Sequence, residues 1–154
     1  FTAQQLHALV HDVDAYSQFL PYCSHSRVTG AGTSEPQDPP GADVRLAELG
    51  VGFKGFNESY TSRVLSVPGK RVEATATSSP IFKYLRTVWE FEPAPSSQPE
   101  APRTTIDFSL RYAFANPLLA AVARASCERM AREMIGAFEK RAAVVYGQPR
   151  QQAR

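Results

Sequence analysis

TTIDFSLRYAFANPLLAAVARASCERMAREMIGAFEKRAAVVY, Thr104–Tyr146, changes its period part-way along. Up to Phe114, apolar Ile106, Phe108, Leu110, Tyr112 and Phe114 alternate with Thr105, Asp107, Ser109 and Arg111. Successive side chains on a strand point to opposite faces, so this spacing predicts a strand with one apolar face. Beyond Asn116 the apolar residues fall three or four apart, at Leu119, Val122, Ala123, Cys127, Met130, Met134, Phe138, Ala142 and Val145. That is the period of an amphipathic helix, here about 30 residues long. Asn116 suits the N-cap, and Pro117 in the first turn gives up no helical hydrogen bond. Gly147 and Pro149 stop the helix. A strand with one apolar face, followed by a helix able to cover it, predicts an α+β architecture.

The same alternation recurs upstream. Tyr84–Glu92 places Thr87, Trp89 and Phe91 on one phase, and Arg71–Thr77 places Val72, Ala74 and Ala76. Phe53–Val67 reads as one strand with Phe56, Tyr60 and Val64 in phase, preceded by Val44–Leu49 and Tyr22–Thr29. Val67-Pro68-Gly69-Lys70 has proline and glycine in the central places of a type II turn. The segments Gly30–Gly41 and Pro93–Pro102 hold seven of the twelve prolines. Proline has no amide proton to give a sheet, so both are expected to be loops. At the start, Leu6, Leu9, Val10 and Val13 have helical spacing, with Thr2 and Gln5 placed for a capping box. Asp14 is expected to cap a second short turn that gathers Tyr16, Phe19 and Leu20 and ends at Pro21. The sum is a curved antiparallel sheet of about six strands wrapped around one long C-terminal helix, with short N-terminal helices.

Composition bounds the function. The 154 residues are 43% hydrophobic and 21% charged, which fits one soluble domain and excludes collagen, a coiled coil and a disordered chain. The longest uncharged run, Tyr112–Ala123, is twelve residues and falls short of the ~20 a membrane span needs. Residues 1–110 hold 9 basic and 12 acidic side chains, whereas residues 111–154 hold 8 basic and 3 acidic. A basic C-terminal segment fits an anionic lipid surface, RNA or simply a solvated helix face. Cys23 and Cys127 lie far apart with no CxxC or Cys/His cluster, so they read as free thiols or one long-range disulfide rather than a zinc site.

Three features fit a cavity between sheet and helix as well as they fit ordinary packing. Val72, Ala74 and Ala76 are small, Gly50, Gly52 and Gly55 permit bends, and Met130 and Met134 make an adaptable wall. Glu58 shares the phase of Phe56 and Tyr60, with Ser62 next; it is either a polar anchor for a ligand headgroup or an edge residue paired with Arg63 or Lys83. His7 and His11 are four apart, a spacing open to a metal, but no HExxH accompanies them. There is no GxSxG, P-loop or GxGxxG, and the carboxylates are scattered, so nothing here points to catalysis and no catalytic residue or metal is assigned.

Four segments together carry a resemblance. DVDAYSQFLPYC (Asp12–Cys23), VGFKGFNESYTSRV (Val51–Val64), Trp89-x-Phe91-x-Pro93 and MIGAFEKRA (Met134–Ala142) resemble, in order, the signatures of the mitochondrial and bacterial coenzyme Q-binding proteins. Those proteins are part of the START (steroidogenic acute regulatory protein-related lipid transfer), or polyketide cyclase-like, superfamily. The resemblance implies a helix-grip, START-like domain over residues 1–147 with a basic tail over 148–154. It implies a hydrophobic tunnel holding a polyprenyl quinone, coenzyme Q, as ligand rather than catalytic cofactor. It also implies delivery of that quinone to the respiratory chain or its biosynthesis, at the matrix side of the mitochondrial inner membrane.

Carried onto this chain, Phe19, Leu20 and Pro21 would form the tunnel rim. Val51, Phe53, Phe56, Tyr60, Leu85, Trp89 and Phe91 would line the sheet side, and Met130, Met134 and Phe138 the helix side. Each fits a plain core position equally well. Phe114, Leu118, Leu119 and Arg124 are the expected membrane-docking residues. A strand ahead of the first helix, usual in the family, is absent from this chain, and both Pro-rich loops are longer than usual. Two other classes stay open: a cyclase or aromatase-like enzyme using Glu58 and Tyr60, and a ribosome-associated protein. No nucleic-acid partner is expected, because no strand face combines exposed aromatic and basic residues.

Overall fold

The computed structural model describes residues 1–53, 55–124 and 126–147, with residues 122 and 123 described by backbone alone. The expected basic tail, 148–154, and Pro149 lie outside the described residues. The elements are α1 (Ala3–His11), a 3-10 helix (Val13–Gln18), β1 (Cys23–Ala31), β2 (Asp43–Phe53), β3 (Phe56–Val67), β4 (Arg71–Ser78), β5 (Phe82–Ala94), β6 (Arg103–Phe114), α2 (Pro117–Arg124) and α3 (Cys127–Tyr146). The six strands form one antiparallel sheet in the order β1-β2-β3-β4-β5-β6, each paired with its neighbour in the chain. The α+β fold is therefore the one the alternation predicts.

Local chemistry sets most boundaries. The Thr2 side chain accepts from Gln5 N at 3.1 Å and the Gln5 side chain accepts from Thr2 N at 2.9 Å, closing the capping box of α1. The Asn116 side chain accepts from Leu118 N at 2.8 Å and starts α2. Gly69, at φ +70, completes the β3–β4 turn, with Lys70 N donating to Val67 O at 3.0 Å. Shifts of register in β1, at Thr61/Ser62 and at Phe82/Tyr84 bend the sheet. At one of these bends a side chain in place of Gly50 would collide with Ser24 and His25.

Three sequence expectations change. The stretch Phe53–Val67 is two strands: Gly50–Phe53 finish β2, and the chain reverses so that Phe53 pairs with Phe56, with Gly55 at φ +79. The long helix is two helices, α3 starting anew with Met130 N bonded to Ser126 O at 2.9 Å. The three-or-four spacing runs unbroken across that junction, which hides it in the sequence. Asp14 does not cap the 3-10 helix; its carboxylate accepts from Val28 N at 2.7 Å and ties the turn to β1. Cys23 and Cys127 are free thiols.

One end of the sheet's inner face is packed solid. Val10, Val13, Ala47, Val64, Val72, Phe91 and Phe138 are buried there, beneath α1 and the C-terminal half of α3. Phe138 meets Tyr16, Phe19 and Trp89 edge-on at 5.4, 5.2 and 5.1 Å between ring centroids. Ser66, also buried, lies between two imidazoles: its Oγ is 2.8 Å from His7 Nε2 and 3.0 Å from His11 Nδ1. Arg45 reaches His11 Nδ1 at 3.2 Å, and a guanidinium only donates. His11 Nδ1 is therefore the acceptor for Ser66 as well, which leaves His7 Nε2–H to donate to Ser66. Burial holds both histidines below their ordinary pKa, helped by the neighbouring His11 imidazole at His7 and by Arg45 at His11.

Candidate functional site

The other end of the inner face is hollow. A cavity of about 260 Å3 lies between the sheet, α2 and the N-terminal half of α3, close to the roughly 300–1,000 Å3 of ordinary small-molecule sites. Its floor is low because β4 contributes only Val72 and Ala74. Of the expected ligand residues, Leu20, Pro21, Val51, Phe53, Phe56, Tyr60, Leu85, Trp89, Met130, Met134 and Phe138 all line it.

Two expected ligand residues do not. Phe19 lies outside the lining, with its ring against Tyr16 and Phe138 and the Arg141 guanidinium 5.2 Å from its centroid. Phe91 is buried at the packed end, edge-on to His7 at 6.0 Å, because β5 carries it beneath α1. The polar-anchor reading of Glu58 is also overturned. Glu58 is exposed and outside the lining, since β3 runs past β4 there and their pairing stops at Thr61. Its carboxylate stays in water rather than losing hydration. Arg63, one suggested partner, bonds Asp38 instead.

The docking candidates divide. Phe114 and Leu119 turn inward and line the cavity, whereas Leu118 is 76% exposed and Arg124 is exposed. The sequence missed several lining residues, among them Tyr16, Tyr22, Ile81, Phe82 and Phe108. The bulge at Phe82/Tyr84 puts Phe82 and Leu85 on one face at odd spacing, so no period-two pattern reveals Phe82. Tyr22 stands at φ +64, an unusual value for a large side chain, and its hydroxyl donates to Glu133 on α3 at 2.6 Å.

No charged side chain lines the cavity among the described residues. Burial pushes the Tyr16 and Tyr60 phenols far above their ordinary pKa and raises the Cys23 thiol as well. The described lining thus carries no Lys, Arg, His, Asp or Glu, and its two deeply buried phenols stay protonated near pH 7. Among the described residues no group of three or more His, Cys, Asp or Glu could hold a metal, and His7 and His11 are occupied by Ser66. Such a site dissolves an apolar molecule and offers a few hydroxyls.

The molecule can be set beside known proteins. Residues 1–139 match the family described as polyketide cyclase / dehydrase and lipid transport. The chain is 32% identical, over 147 residues, to a Xenopus laevis protein named coenzyme Q-binding protein COQ10 homolog B, mitochondrial; the match takes in 96% of this chain and 56% of that one, so this chain spans just over half its length. It is equally 32% identical to the ribosome association toxin RatA of Pseudomonas aeruginosa, over 96% of this chain and 92% of that one. Its fold superimposes on the solution structure of an 18 kDa protein from Caulobacter crescentus with a TM-score of 0.70 at 30% identity, covering 96% of this chain and 93% of that one.

Proposed function

The chain belongs to the polyketide cyclase / dehydrase and lipid transport family, and on that premise we propose that it binds a polyprenyl quinone of the coenzyme Q type and carries it, without chemistry of its own. The observation that supports this most is the neutral, apolar lining beneath α2 and α3. Burying an isoprenoid chain there would be driven by roughly 25 cal/mol per Å2 of apolar surface removed from water. The names of the coenzyme Q-binding relatives suggest a mitochondrial setting; within it, the proposed place is the matrix face of the inner membrane, beside respiratory or quinone-making enzymes.

Exchange with a bilayer would use α2. Leu118 stands out in solvent beside the inward Leu119, and Arg124, Arg129 and Arg132 are exposed nearby in the chain. Each basic residue near an anionic surface contributes about 1 kcal/mol. Phe114 and Leu119 line the cavity, so a charge there would damage site and docking together. Leu118→Glu separates the two: it should slow quinone transfer to anionic vesicles and leave the circular dichroism unchanged.

The direct test is organic extraction and mass spectrometry of the natively folded protein. A co-purifying polyprenyl quinone near one per chain supports the carrier reading. An empty extract, with no uptake from quinone-loaded vesicles, sinks it. A second reading, ribosome association, is favoured by the likeness to the toxin RatA over nearly its whole length. Cosedimentation with ribosomes by a quinone-free protein would move that reading to the front. The cyclase reading needed Glu58 beside Tyr60, and Glu58 stands outside the cavity.

A further inference from the structure

Four tyrosines line the cavity, and two of them have their hydroxyls committed to protein groups. Tyr16 donates to Val10 O and Tyr22 to Glu133, while Tyr112 lies near the Cys127 thiol, which raises its pKa. Among the described residues the Tyr60 hydroxyl has no hydrogen-bond partner. Its ring is fixed edge-on to Phe82 at 5.6 Å. Ser62, two residues on and on the same face, is 2% exposed and also lines the cavity. Thr87 faces them across the low floor of β4, where Ala74 pairs with it. A hydroxyl facing the cavity is left unpaired when an oxygen-free ligand fills the space, at about 1–3 kcal/mol, and a ligand oxygen recovers that cost.

We propose that Tyr60 is the residue that selects the ligand: its O–H donates to an uncharged ring oxygen, so the cavity takes a molecule with a neutral, oxygen-bearing ring in preference to an ionised lipid or a plain hydrocarbon. This rests on the lipid-carrier reading of the same cavity. The absence of lysine, arginine and histidine from the described lining gives the first half of the selection. A carboxylate or phosphate inside would have no counter-ion and would lose its hydration. The unpaired Tyr60 hydroxyl gives the second half, because a polyprenyl hydrocarbon leaves it dry and unbonded, whereas a quinone or methoxylated ring brings acceptors. Burial raises the Tyr60 phenol pKa, so it remains a donor at physiological pH.

The test uses three probes on the full chain: a ubiquinone with a short isoprenoid tail, squalene as an oxygen-free isoprenoid, and oleate. Wild type should bind the ubiquinone most tightly and oleate least. Tyr60→Phe removes one oxygen and should weaken ubiquinone binding roughly tenfold, the worth of one buried hydrogen bond, with squalene binding unchanged. Infrared spectra of the bound, carbonyl-labelled quinone give a readout that a merely structural role would not move. The carbonyl band should be lowered in wild type and return toward its apolar-solvent position in Tyr60→Phe. Should that variant fail to fold, the wild-type band alone decides, since a carbonyl band at the apolar-solvent position means no hydrogen bond. Equal binding of ubiquinone by both proteins, or oleate bound as tightly as ubiquinone, overturns the selection while leaving the carrier intact. A wild type that takes up none of the three overturns the carrier reading and the selection with it.

Discussion

The two ends of the sheet's inner face are built from similar residues and do opposite things. At one end Phe91 and Ala47 lie beneath α1 and the C-terminal half of α3 and are buried in a solid core. At the other end Tyr60, Phe82, Leu85 and Phe114 also face inward, yet they surround space. The strands do not differ in pattern. The cover differs: α1 brings Ala3 and Val10 down onto the packed end, while the hollow end lies under α2 and the first turns of α3, with the flexible Met130 and Met134. An apolar face is thus a core or a binding site according to what the helices deliver to it.

The contrast can be broken most severely where the ends meet. Phe138→Ala removes the ring shared by Tyr16, Phe19 and Trp89, and should cost about 3–5 kcal/mol in urea denaturation. A finer comparison places the same substitution in each end. Ala47 is fully buried, so Ala47→Leu should overpack the core and cost about 1–3 kcal/mol. Ala74 lines the cavity, so Ala74→Leu should cost less than about 1 kcal/mol by the same measurement while ligand uptake falls, because the added methyl groups fill vacant space. Equal losses of stability would erase the distinction between the ends.

The smallest expected effect is on pH. His7 and His11 have folded pKa values below 6.5, so the unfolded chain binds protons first as pH falls. Their contribution is whole above pH 6.5 and is lost as pH falls through the lowered folded values. Asp43 and Asp12 raise the His11 value against the effect of Arg45, which keeps the dependence modest. The urea midpoint should fall between pH 7 and 5, and His11→Gln should flatten that slope. Ligand retention should not follow it, since no histidine lines the cavity among the described residues.

Much of this was legible in the residues. The alternation of Thr104–Phe114, the Pro68-Gly69 turn and the Thr2 cap each follow from local chemistry, and local chemistry survives in the fold. The lining was read well where phase held, from Val51 to Trp89, and badly where phase was broken by a bulge, as at Phe82. Glu58 and Phe91 were misplaced for a common reason. Phase tells which face a side chain leaves from, but not whether a neighbouring strand or a helix extends far enough to cover it. The break before Cys127 left no trace because the apolar spacing continues across it. An unpaired hydroxyl such as that of Tyr60 is a property of three-dimensional surroundings, and no spacing rule signals it.

The strand order follows the chain without a single crossover. As the polypeptide leaves the ribosome, each strand can therefore pair with the one made just before it, without waiting for a later segment to cross over. Cys127–Tyr146, by contrast, is synthesised after all six strands. Until it emerges, Leu20, Tyr60 and Trp89 form a trough open to solvent or to whatever apolar molecule is nearby. The nascent chain is the form most exposed to aggregation, and it is also the form into which a bulky ligand could be loaded without displacing a helix.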